Sequence, residues 1–119
     1  MNNITKALLT VSLTLGLLAG CAQPNPHPMD MTTAIQNTKT KADHEALATH
    51  YEQAAQDAEA KVEEHKKLLE QYQAHSYLYG RQAPMVEEHC QSLIHEYQQI
   101  AKANFQMAKL HRQIADGIK

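Results

Sequence analysis

Apolar and polar residues are arranged in three successive patterns along this chain. Residues 7–19 form a Leu-rich apolar run behind a short polar start whose single charge is Lys6. Residues 22–39, AQPNPHPMDMTTAIQNTK, carry three prolines and several amides and have no sustained apolar period. From residue 40 onward the apolar positions recur every three or four residues, the spacing of one face of an α-helix. The first stripe is Leu47, Tyr51, Ala54, Ala58, Val62, His65, Leu69 and Tyr72; the second is Val86, Cys90, Leu93, Tyr97, Ile100, Asn104, Met107, His111, Ile114 and Ile118. The second alternates fours and threes over more than four heptads, as in a coiled coil.

Local signals bound these helices. Thr40 and Asp43 fit a capping box, which starts a helix near residue 41. Gly80 can take the left-handed conformation that closes a helix, and Pro84 suits the first turn of the next. The pattern therefore predicts an all-α fold: a helix over about 41–79, a turn over about 80–83 and a helix over about 84–118. Two such helices, each roughly 50 Å long at 1.5 Å per residue, fold back as an antiparallel hairpin. On the outer faces, Asp57 with Lys61 and Glu63 with Lys67 are placed as i,i+4 ion pairs. Each stripe is narrow and the first is rich in alanine, so the hairpin is expected to self-associate into a four-helix bundle or to pack on another envelope protein. The proline-rich stretch before it reads as an extended, mobile tether.

The opening pattern gives an address. A positive start and a short apolar core are the first two regions of an export signal, and the core falls well short of the ~20 residues that span a bilayer. It ends in Leu18-Ala19-Gly20-Cys21, which resembles the lipobox of bacterial lipoproteins. The resemblance implies cleavage before Cys21, a diacylglycerol on its thiol and acylation of the new amino terminus. Residues 1–20 are then a signal peptide, 21–39 a lipidated cysteine with its tether, and 40–119 the hairpin. Several acyl chains make the anchoring stable, so the lipid bilayer is the expected first partner. Ala22 rather than aspartate follows the cysteine, a pattern that in enteric-type lipoproteins goes with the outer membrane and a periplasm-facing chain. The mature part resembles small helical-hairpin lipoproteins. The murein lipoprotein also joins a lipobox to a heptad helix and a terminal lysine, but this chain has two helices and a turn, and lacks the Tyr-Arg-Lys ending. Any carry-over of peptidoglycan attachment to Lys119 is correspondingly weak.

Composition narrows the function. Of the 11 Lys and Arg only Lys6 precedes Cys21, so ten face 13 Asp and Glu in the rest, a balance of −3 with no basic stripe for nucleic acid. With Cys21 acylated, Cys90 has no partner for an internal disulfide. No phosphate loop, haem-attachment motif or nucleophile–base set is present, so a non-enzymatic structural or interaction module is expected.

Eight histidines follow the cleavage point, and they raise a second possibility, metal binding. His27, Met29 and Met31 resemble the Met/His strips of periplasmic copper-handling proteins, which implies a copper-buffering lipoprotein. Two further groups are level in a hairpin that turns near residue 80: His75 with Met85, His89 and Cys90, and His50 with Met107 and His111. Thioether, thiolate and imidazole together suit a soft ion such as Cu(I). The plainer reading makes His65 and His111 hydrogen-bonded seam residues, leaves His44 in water and puts His95 on the outer face. Imidazoles in a packed seam are expected to weaken it on acidification.

Overall fold

The computed structural model describes residues 29–119. The export signal, the lipobox with Cys21, and His27 lie outside the described residues. Three α-helices follow in chain order: α1 Met31–Asn37, α2 Lys41–Ala74 and α3 Ala83–Gly117. No strand occurs among the described residues. The two long helices pack against each other as an antiparallel hairpin.

Helix α1 stands where an extended tether was expected. Asp30 explains it: one carboxylate oxygen accepts the Thr33 backbone N–H at 3.1 Å and the other accepts the Thr33 hydroxyl at 2.6 Å. That satisfies donors a helix start otherwise leaves open. Met29, Ala34 and Thr38 border a cleft shared with Ala46 and Leu47, so this short helix sits against the opening of α2.

The capping box at α2 forms as the sequence indicates. The Asp43 N–H donates to the Thr40 hydroxyl at 3.1 Å, and the Thr40 N–H donates to the Asp43 carboxylate at 2.8 Å. The far end differs, because α2 stops at Ala74 and not near residue 79. Two 3-10 turns, Ser76–Leu78 and Gly80–Gln82, carry the chain across, with Gly80 at φ +52°. Ser and Tyr at 76–79 hold a helix less well than the Gln and Ala before them, and the Tyr79 ring meets Tyr72 edge-on at 5.5 Å. Pro84 lies in the first turn of α3, where no intrahelical donor is lost.

The seam between α2 and α3 is built mainly of alanine. Its most buried residues are Leu47, Ala48, Ala55, Ala58 and Val62 on α2, and Ala83, Cys90, Ala101, Ala108 and Ala115 on α3. Most of the expected first stripe does face α3, with Ala48 and Ala55 added to it. The second stripe is half corrected. Residues 90, 97, 104 and 111 form one heptad row, which has neighbouring rows on either side. The row 94, 101, 108 and 115 turns toward α2, whereas Leu93, Ile100, Met107 and Ile114 are 44%, 46%, 37% and 47% exposed. Alanine on both helices lets the backbones approach closely, and separation in helix pairs is set by the side chains at the contact. Larger residues would hold the helices apart.

Two charged pairs span the seam. Arg112 donates to the Glu52 carboxylate across the seam at 2.5 Å, and Lys41 lies 4.0 Å from Asp116. Along α2, Lys61–Glu64 and Glu63–Lys66 pair three residues apart and Lys41–Glu45 four residues apart. All are exposed and each contributes little, ~0–1 kcal/mol.

A close seam is intolerant of volume. Ala101→Leu is expected to destabilise the fold by about 1–3 kcal/mol, while Ala103→Leu, on an exposed position, is expected to leave it nearly unchanged. Urea unfolding followed by helical circular dichroism measures both.

Candidate functional site

The row that borders the alanines carries rings. On α2 it reads His44, Tyr51, Ala58, His65 and Tyr72, each seven residues after the last; on α3 it reads Cys90, Tyr97, Asn104 and His111. Antiparallel packing brings the opening turn of α2 level with the last turns of α3. There the Nδ1 atoms of His44 and His111 stand 3.0 Å apart, with ring centroids at 5.3 Å. Tyr51 stacks on the His111 ring at 5.7 Å and 10°. His50 meets Tyr51 edge-on at 5.7 Å. The ion pairs Lys41–Glu45, Lys41–Asp116 and Arg112–Glu52 surround this cluster.

These neighbours set the protonation. Burial, and then the charge of His44, hold the His111 imidazole below its ordinary value. The hydrogen bond from Arg112, and then its charge, keep the Glu52 carboxyl below the usual carboxylate range. At 3.0 Å one Nδ1 must donate and the other accept. A proton on both would set two N–H groups head to head.

A second layer lies nearer the turn. His65 stacks on Tyr97 at 5.4 Å and 18°, and the buried Cys90 thiol donates to the His65 carbonyl at 3.3 Å. Burial pushes the thiol up, so at neutral pH it is protonated, unlike an activated nucleophile.

The sequence-derived groupings fare differently. His111 enters a cluster, but its partner is His44, which was expected in water; the antiparallel register carries His44 over the seam, and it is half-buried. His50 is half-buried beside Tyr51, and Met107 belongs to the outward row. Near the turn, His75 caps α2 with its Nδ1 3.0 Å from the Gln71 carbonyl, Met85 and His89 are exposed, and Cys90 faces His65. Met29 and Met31 are half-buried at the start of α1, and His95 is exposed. Among the described residues no group of three or more His, Cys, Asp or Glu is placed to hold a metal. The signal for His44 was present in the sequence: it lies seven residues before Tyr51, one heptad back along the same row.

No family model, no curated protein and no solved structure matches this chain.

The lowered His111 value gives stability a pH dependence. The folded chain binds fewer protons than the unfolded one below the ordinary imidazole value of 6.5. Stability is therefore full above that value and falls as the pH drops below it. In chelator-treated protein the urea midpoint is expected to decline from pH 8 to pH 5, and His111→Gln to flatten the decline. The exposed carboxylates with lowered values, Asp30, Asp43, Glu52 and Glu64, act at lower pH and do not mask it.

Proposed function

We propose that this chain is a lipid-anchored protein of the bacterial envelope, held through acylated Cys21 and facing the periplasm from the outer membrane. It works without catalysis, as an interaction module whose hairpin pairs with a second copy to complete a four-helix bundle. The observation that carries this reading is the outward heptad row Leu93, Ile100, Met107 and Ile114, each 37% or more exposed. Ile100 and Tyr97 share a groove with Ala54 and Ala58, so the row lies beside α2 as well. Leu68, two heptads after Ala54, is 38% exposed. Rows of large apolar residues at heptad spacing fit between the helices of a second pair as knobs into holes. A second copy supplies the same row, and a two-fold arrangement makes it self-complementary. The anchor is supported by Leu18-Ala19-Gly20-Cys21 behind its apolar run. No described helix is long and apolar enough to cross a membrane, and an acyl anchor needs none.

Light scattering on the soluble 22–119 fragment is expected to give the mass of a dimer at high micromolar concentration. Leu93→Gln combined with Ile100→Gln is expected to give a monomer of undiminished helicity. A compact wild-type monomer contradicts self-association. Metabolic labelling with an alkynyl fatty acid, lost on Cys21→Ser, is the separate check on the anchor.

A further inference from the structure

The His44–His111 pair is arranged as a ligand set. Each neutral imidazole has one nitrogen lone pair to offer, and these two rings turn the same kind of nitrogen, Nδ1, toward each other across the seam; both serve as ligands once the donating ring carries its proton on Nε2. As a hydrogen bond this contact is ordinary. As part of one coordination sphere it supplies two nitrogens. Zinc–nitrogen bonds of about 2.0–2.1 Å at tetrahedral angles place two nitrogens about 3.3 Å apart. From the observed 3.0 Å the nitrogens part by a few tenths of an ångström; because the rings meet end to end, with centroids at 5.3 Å, each must also turn by roughly 35° for both lone pairs to aim at one ion.

We infer that His44 and His111 form a two-imidazole site for a borderline divalent cation of the Zn2+ class at the open end of the hairpin. The site differs in residues and in chemistry from the copper groupings suggested by the sequence. It contains nitrogen alone, without the thioether or thiolate that selects Cu(I). Its surroundings favour a cation: the carboxylates of Glu45, Glu52 and Asp116 outnumber the cations Lys41 and Arg112 that they pair with. Tyr51, stacked nearly parallel on His111 at 10°, restricts that ring's turn to its own plane. Among the described residues no third His, Cys, Asp or Glu completes the set. The remaining positions are therefore open to water or a small anion, and the affinity is modest. One ligand comes from the first turn of α2 and the other from the last turns of α3. A bound ion therefore ties together the two ends that fray most readily.

The test uses the detergent-solubilised full chain, stripped with chelator and titrated with ZnCl2. One Zn2+ per chain is expected, with a rise in melting temperature because the ion binds the folded hairpin. His44→Gln and His111→Gln are each expected to weaken binding by roughly tenfold or more, the loss of about 1.4 kcal/mol, and to remove the rise. His95→Gln and His89→Gln are expected to leave both readouts unchanged. Should a site variant fold poorly, histidine-nitrogen NMR of the wild-type chain decides: Zn2+ is expected to shift the Nδ1 resonances of two of the eight histidines, His44 and His111. Shifts spread over other histidines, no shift at all, or equal binding by folded His44→Gln overturns the site. Because the readouts concern metal alone, failure here leaves the self-association reading standing, and failure of that reading leaves this site untouched.

Discussion

Close approach of two helices through alanine is the constraint on which the rest of this structure depends. Ala48, Ala55 and Ala58 on α2 meet a row of Ala101, Ala108 and Ala115 on α3, and all six are buried. Small side chains cost the pair most of its apolar burial, since transfer energy scales with area at about 25 cal/mol per Å². In exchange the backbones come close along the length of the hairpin. Because α3 has only one face to give α2, the choice of the alanine row turns Leu93, Ile100, Met107 and Ile114 outward. The uncovered apolar face is a consequence of the seam.

The same geometry explains the rings. Residues beside a narrow seam lie at its edge, where a flat ring covers the gap with one face and keeps a polar atom near water. Tyr51 on His111 and His65 on Tyr97 both do this. Where two such edge positions coincide across the seam, at His44 and His111, imidazole nitrogens meet. The cluster sits at the end of the hairpin distant from the turn, between α2's capping box and the Arg112–Glu52 pair. Capping, register and ring contact thus reinforce one another at the end that would otherwise open first.

Much of this was legible in the sequence. Thr40 with Asp43 marked the start of α2, Gly80 with Pro84 marked the reversal, and the period of three and four gave two long helices. What misled was side-chain size. Ranking positions by hydrophobicity favours Leu93, Ile100 and Met107 over Ala101 and Ala108, although packing between two helices alone can prefer the smaller row. A buried partner normally justifies the larger residues; none of the described residues supplies one. Helix α1 is hidden in the sequence by the prolines before it, and Asp30 as its cap is the only local sign of its start. The His pair was half visible, since His111 stood on the seam. His44 opens a helix, a position that usually faces water, but it shares its heptad row with Tyr51.

Which row of α3 faces α2 is the question that tests the account most directly. Single cysteines placed at Ala101 and at Ile100 in the 22–119 fragment, which lacks Cys21, with Cys90→Ala, can be followed by maleimide labelling at protein concentrations too dilute for association. With the alanine row facing α2, Ile100→Cys is expected to label rapidly and Ala101→Cys to be strongly protected until urea is added. The reverse order, with position 100 shielded and position 101 open, would contradict the alanine seam and everything built on it.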